Sequence, residues 1–278
     1  MALVIAEVGE NHCGDWQMAR ALVDAAAHAH ADYVKFQLYE ADDVADDDPE
    51  RDWFRRVQVP VSELADLVAY CRRAGIAPLC TPWDAAKAAT VLDLGMADVK
   101  IASFHITDTA MLRLVNQRAR RVFLSTGMAN WDEIDAAVAC LDRVELYLLH
   151  CVSEYPLPDE HVNLAVMDGL RERYGARARI GYSDHTIGIL APIAAVARGA
   201  DVVEKHITMS RAREGTDHVL SAEPAELIEM VSHIRAIQRM IGDGVKTLTP
   251  GEVANQSFLR NRFRHGKGPR SRRNVTAV

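Results

Sequence analysis

Three polar pairs in the chain have the spacing of paired chemistry: Lys35 with Gln37, Ser183 with His185, and Glu204 with His206. Residues two apart on a β-strand point to the same face, so each pair can enter one site together. Neighbouring strands lie about 4.8 Å apart, which lets His185 and His206 reach one divalent ion if their segments are adjacent. Two histidines are too few for a closed zinc site. With a carboxylate nearby and the remaining positions left to water or substrate oxygen, they suit Mn²⁺ or Mg²⁺. The same rings could instead hydrogen-bond to substrate or to Asp184 and Asp217. Lys35 and Lys100, with hydroxyls from Thr81, Ser103, Ser125 and Ser183, describe a pocket for phosphate or carboxylate. Internal ion pairs with Glu7 and Glu204 are the other use for those lysines. His105, His150 and His218 are weaker candidates, since no carboxylate shares their face.

The elements that must position these groups repeat along the chain. Eight apolar, β-rich runs fall near 3–9, 33–39, 76–82, 99–103, 121–126, 144–151, 179–184 and 201–208, and each precedes a segment of helical period. The first such segment, 16–29, carries Ala19, Leu22, Val23 and Ala26; the last, 225–241, carries Leu227, Met230, Val231, Ile234 and Ile237. Asp15 and Pro224 stand where helices start. Strands alternating with helices predict a parallel sheet, and eight units predict an α/β fold closed as a single (β/α)8 TIM barrel. The barrel is expected over 1–244, with a basic extension over 245–278. An open doubly wound sheet fits less well, because Gly9-Glu10-Asn11-His12-Cys13-Gly14 lacks the G-x-G-x-x-G spacing. The longest gap, 40–60, reads as a loop after strand two, either a lid or a solvated charge run.

A barrel of this kind places its active site at the C-terminal ends of the strands. All eight runs close on polar residues: Glu7 and Asn11; Lys35 and Gln37; Thr81; Lys100 and Ser103; Ser125 and Thr126; His150 and Ser153; Ser183 and His185; Glu204 and His206. Each would cost about 1–3 kcal/mol if buried without a partner, and a polar ligand would supply partners. Lys205, by the same alternation, faces the helices.

Composition excludes several classes. Hydrophobic residues at 49% and charged residues at 26% of 278 exclude a disordered or collagenous chain. The absence of a run of about 18 apolar residues and of a basic leader points to a soluble, cytoplasmic protein without membrane attachment. Five cysteines without a C-x-x-C pair argue against a disulfide framework or structural zinc. The net charge of −7 argues against nucleic acid as a partner, although Arg260, Arg262, Arg264, Lys267, Arg270, Arg272 and Arg273 form a basic tail.

The strings Ile5-Ala6-Glu7-Val8-Gly9 with Asn11-His12, Val34-Lys35-Phe36-Gln37, Lys100-Ile101-Ala102-Ser103, Leu124-Ser125-Thr126-Gly127-Met128-Ala129, Leu149-His150-Cys151, Gly181-Tyr182-Ser183-Asp184-His185-Thr186 and Val203-Glu204-Lys205-His206 resemble the sialic acid synthase (N-acylneuraminate synthase) family. The match is ordered and runs over about 3–244. It implies condensation of phosphoenolpyruvate with the open-chain aldehyde of an N-acyl hexosamine, releasing phosphate and giving a nine-carbon α-keto acid, with a divalent metal required. Lys35, Thr81, Lys100, Ser103, Ser153 and Ser183 then match phosphoenolpyruvate contacts, and His185 and His206 match metal ligands. Glu204 matches the acidic neighbour of that ion, and Tyr155 and Asp217 match positions facing the sugar. The candidate set is completed by Glu7 and Lys100 as catalytic groups beside Glu204, and by Gln37 and His105 as substrate contacts. Glu204, or water held by the ion, is expected as the base.

Three departures from the family pattern set this chain apart. The residues after 244 are few and polar, so the family's antifreeze-like domain, which supplies an arginine to the sugar's N-acyl group across a dimer, is not expected in them. Phe104-His105 replaces glycine and an acid, and Cys13 replaces asparagine or glutamate. These changes predict an aldehyde without the usual N-acyl group, or a basic tail that substitutes for the lost arginine, in a homodimer. A metal-dependent aldolase or isomerase not using phosphoenolpyruvate, and a non-catalytic anion-binding barrel, are the competing functions.

Overall fold

In a computed structural model that describes residues 1–262, the predicted alternation is realised. Eight parallel strands form one sheet: β1 (Leu3–Glu7), β2 (Tyr33–Leu38), β3 (Ala77–Pro82), β4 (Asp98–Ile101), β5 (Arg121–Ser125), β6 (Glu145–Cys151), β7 (Ala178–Asp184) and β8 (Val202–His206). Their order is β3-β2-β1-β8-β7-β6-β5-β4. The end strands β3 and β4 lie side by side, so the barrel is closed by packing, with no ladder across that seam among the described residues.

The described residues hold ten α-helices: α1 (Trp16–His28), α2 (Arg51–Val57), α3 (Val61–Ala74), α4 (Ala85–Asp93), α5 (Thr109–Arg118), α6 (Trp131–Cys140), α7 (Val166–Tyr174), α8 (Leu190–Ala197), α9 (Pro224–Ile241) and α10 (Pro250–Arg262). Their starts are chemically marked. Asp15, Asp84, Asp108 and Asn130 each accept backbone N–H bonds at the first turn of α1, α4, α5 and α6. The buried stripe of α1 is the predicted Ala19, Leu22, Val23 and Ala26. One difference is α2, which forms inside the 40–60 segment read as a loop. Its short Arg51–Val57 stretch buries only Val57, too little apolar periodicity to show in the sequence. None of the described helices is long and apolar enough to cross a membrane.

The strand period sorts residues into layers. Outward side chains such as Val4, Ala6, Val34 and Phe36 join the helices in the main core. Inward ones stack in three tiers. The bottom tier is polar: Tyr33 donates to Asp98 at 2.7 Å, and Arg121 donates to Tyr33 at 2.6 Å. A middle tier of Ile5, Leu79, Phe123, Tyr147, Leu149 and Val202 fills the barrel with hydrocarbon. Above it, the C-terminal tier is polar again. Lys205 points outward as predicted, and its fully buried ammonium donates to Asp184 Oδ2 at 2.6 Å and Thr186 O at 2.5 Å. One compact unit covers Met1–Met240; a second begins at Ile241 and includes α10. The tail residues Arg264, Lys267, Arg270, Arg272 and Arg273 lie outside the described residues.

Candidate active site

The upper tier opens into a cavity of about 430 Å³. Strand register assembles it: Glu7 is level with Lys35 and with His206, Gln37 with Thr81, and Ser183 with Glu204. Gly181 permits the close approach of β7 to β8, since a Cβ there would meet Val202 O at 2.5 Å. Of the predicted residues, Glu7, Lys35, Gln37, Thr81, Lys100, Ser103, Ser153, Tyr155, Ser183, His185, Glu204, His206 and Asp217 all line this cavity.

His105 is not among the lining residues. Strand β4 ends at Ile101, and Ser103–His105 forms a 3-10 turn. With about three residues per turn the strand alternation no longer holds, so Ser103 and Phe104 line the cavity while the His105 ring lies beside Phe104, centroids 4.4 Å apart. His150 is occupied structurally, with Nε2 2.8 Å from Val162 O. His218 Nδ1 meets Thr208 Oγ1 at 2.7 Å and its Nε2 lies 3.4 Å from Cys13 Sγ.

The charged centre is compact. Lys35 Nζ lies 3.5 Å from Glu7 and 3.0 Å from Glu204, and Lys100 Nζ lies 3.9 Å from Glu204. The expected internal ion pairs are therefore present, inside a cavity open to a ligand. Burial works against the Lys35 charge, but Glu204 and Glu7 hold it above the usual lysine range. Burial brings Lys100 down to about 8, only partly opposed by Glu204. The two carboxylates diverge. Burial pushes Glu7 up despite Lys35. Glu204 resists the same burial because Lys100 and Lys35 flank it and Ser183 donates to it at 2.9 Å, so it is driven down. Opposed shifts in adjacent carboxylates separate a proton carrier from a fixed anion.

Both histidines are held neutral by burial, His185 down to about 4 and His206 well below its ordinary value. His185 Nδ1 is 2.7 Å from Val152 O, which as an N–H donor leaves Nε2 free as a ligand. His206 Nδ1 is buried without a hydrogen-bond partner and lies 3.3 Å from Asp217 Oδ2. The ring centroids are 5.7 Å apart, with Tyr155 stacked on His185 at 3.9 Å. This donor set fits a divalent cation that takes its other ligands from substrate and water, although no group of three or more His, Cys, Asp or Glu ligands is preassembled among the described residues.

Two hydroxyls gather at Gly127, whose N–H donates to Ser103 Oγ at 3.0 Å. A Cβ on Gly127 would meet Ser153 Oγ at 2.6 Å and Ser103 Oγ at 2.8 Å. Sequence reasoning missed this glycine's clearance role, and also the outer wall of Glu10, Glu50, Phe54, Trp83 and Phe104. Those wall residues sit on turns and on α2, outside the strand alternation; only the departure at Phe104 was a signal.

A profile of the NeuB family matches residues 22–246. N,N'-diacetyllegionaminic acid synthases from Campylobacter jejuni and Legionella pneumophila are 36% and 34% identical, covering 93% and 92% of this chain and 83% and 78% of theirs. The solved N-acetylneuraminic acid synthetase of Leptospira borgpetersenii, in complex with citrate, superposes with a TM-score of 0.88 at 33% identity, over 95% of this chain and 93% of that one.

Proposed function

The chain belongs to the NeuB family, and from that membership we propose that it condenses phosphoenolpyruvate with the aldehyde of a sugar or sugar-like substrate, forming a carbon–carbon bond and releasing phosphate. The observation that carries this reading is the convergence of Lys35, Lys100, Ser103, Ser153 and Ser183 with His185 and His206 on one cavity. The aldolase or isomerase alternative needs no such cationic, hydroxyl-lined half, and the relatives named above are synthases.

Lys35 and Lys100 neutralise the phosphate and carboxylate of phosphoenolpyruvate, which otherwise repel each other and the incoming oxygen. Ser103, Ser153, Ser183 and Thr81, whose Oγ1 is buried without a partner, fix that anion. His185 and His206 would hold the divalent ion, Mn²⁺ or Mg²⁺, which when bound supplies Lewis-acid polarisation of the aldehyde oxygen. Tyr155 and Asp217 orient the aldehyde.

Glu7 handles the proton. The opposed shifts favour it over Glu204, the base expected from the sequence, because a carboxylate locked between two ammonium groups is a weak base. Gln37 Nε2 donates to Glu7 Oε1 at 2.8 Å and fixes its orientation. Glu204 instead orients both lysines. The reading extends to a cytoplasmic homodimer with the synthase domain in 1–244; it is supported by the family resemblance and by the five free cysteines. The test is phosphate release from phosphoenolpyruvate with an aldehyde panel and Mn²⁺. Release that requires both aldehyde and metal supports the reading; aldehyde turnover without phosphate release refutes it.

A further inference from the structure

The outward face of β8 carries a charge where packing alone asks for hydrocarbon. Val203 and Ile207, two residues either side of Lys205, join the helix-facing core, whereas Lys205 is 0% exposed and ends in an ammonium. A buried ion pair stabilises a fold little or not at all compared with apolar residues of the same volume, and its best-attested use is to select one register over others. What this pair registers follows from its neighbours along the chain. Lys205 stands between Glu204 and His206, and its two acceptors, Asp184 and Thr186, stand either side of His185.

Backbone pairing does not by itself fix the two histidines. Among the described residues the register of β7 with β8 ends at Asp184 opposite Lys205, immediately before His185 and His206. Beyond that point the chain turns around the Asp184 carboxylate. Tyr182 donates its hydroxyl to Oδ1 at 2.8 Å, and Thr186 donates its N–H to Oδ1 at 3.2 Å and its hydroxyl to Oδ2 at 3.1 Å. All three bonds lie within one segment. The Lys205 ammonium is what ties that segment to β8. On its other flank His185 is held towards the stretch after β6, with Leu157 N–H donating to its carbonyl at 2.9 Å and Val152 O 2.7 Å from Nδ1. Those contacts fix it relative to β6, and not relative to His206.

Resting on the divalent-ion reading of His185 and His206, we infer that Lys205 is a positioning residue: through Asp184 and Thr186 it sets the separation of the two imidazoles, and so the affinity of the site for the ion. Ligand distances to a metal hold to within about 0.2 Å, and partners beyond the ligands change affinity about ten- to a hundred-fold. Uptake of Mn²⁺ by the full chain is read as loss of the free ion's electron paramagnetic resonance signal. Lys205→Gln is compared with wild type and with Leu22→Ala, a buried α1 substitution away from the cavity that lowers stability alone. Each protein is read at a temperature where circular dichroism shows it folded. Mn²⁺ binding tenfold or more weaker in Lys205→Gln, with Leu22→Ala within threefold of wild type, is the expected result. Weakening of less than tenfold, or equal weakening in Leu22→Ala, overturns the inference and leaves the metal reading standing. Wild type that takes up no Mn²⁺, with or without phosphoenolpyruvate, refutes the metal reading and the inference with it. If Lys205→Gln does not fold, Thr186→Val replaces it, since it removes one bond to Asp184 without stranding a charge. Weakening of threefold or more is then expected, and a smaller effect overturns the inference.

Discussion

Replacing Gly127 with Ala tests the anion subsite through a single methyl group. The glycine does not have a positive φ, so alanine adopts the backbone there without strain, and the effect comes from crowding alone. The added carbon would stand 2.6 Å from Ser153 Oγ and 2.8 Å from Ser103 Oγ, with Cys151 O at 3.3 Å. Both hydroxyls must turn away. Hydrogen bonds to a charged group contribute about 1.5–3 kcal/mol each, so losing one and weakening the other removes about 2–4 kcal/mol from binding of the phosphoenolpyruvate anion. At 1.4 kcal/mol per factor of ten, kcat/KM for phosphoenolpyruvate falls roughly thirty-fold to a thousand-fold. Steady-state phosphate release at varied phosphoenolpyruvate and fixed aldehyde measures it, with Ser103→Ala and Ser153→Ala as calibrants. A folded Gly127→Ala enzyme whose KM for phosphoenolpyruvate stays within twofold of wild type would refute the placement of the anion against these serines.

Ala at His185 or His206 is expected to abolish metal-dependent phosphate release; full activity in either variant removes them as ligands. Glu7→Gln is expected to lower kcat by about 10²–10⁴ with phosphoenolpyruvate binding retained, whereas Glu204→Gln acts mainly on KM; the reverse pattern returns the proton to Glu204. Lys205→Met strands the buried Asp184 carboxylate and costs about 3–5 kcal/mol in denaturant unfolding, with partial rescue by Asp184→Asn; a loss under 1 kcal/mol contradicts a buried ion pair. His12, 1% exposed and stacked near Trp16 at 5.2 Å, is held by burial down to about 4. The unfolded chain protonates it below about 6.5, so this stability is intact above that pH and is lost as pH falls towards 4, by about 3 kcal/mol. Unfolding curves of wild type and His12→Gln converge in that window unless the imidazole is already charged in the fold.

The parts of this molecule that obey a strand period were legible. Glu7, Lys35 and Gln37, Ser183 and His185, and Glu204 and His206 fall on one face because alternation survives to the end of each strand, and Lys205 turns outward for the same reason. Legibility failed where alternation stopped. The 3-10 turn after β4 moved His105 off the cavity and put Phe104 on it, and α2 brought Glu50 and Phe54 into the wall from a segment without readable periodicity. Roles of carboxylates were not legible either: Glu7 and Glu204 are chemically alike in the sequence and differ in how many ammonium groups reach each one and in which side chain donates to it.

The seam between β3 and β4 has a mechanical consequence. Lys35 belongs to the ladder that ends in β3, and Lys100 to β4 at the opposite free end. Around the sheet, the path between these two charges crosses nearly the whole circumference; across the seam only β3 separates their strands. An anion gripped by both ammonium groups would therefore act as a cross-tie over a stave joint that, among the described residues, backbone hydrogen bonding leaves open. Amide exchange in β3 and β4 becomes a gauge of whether that tie is in place.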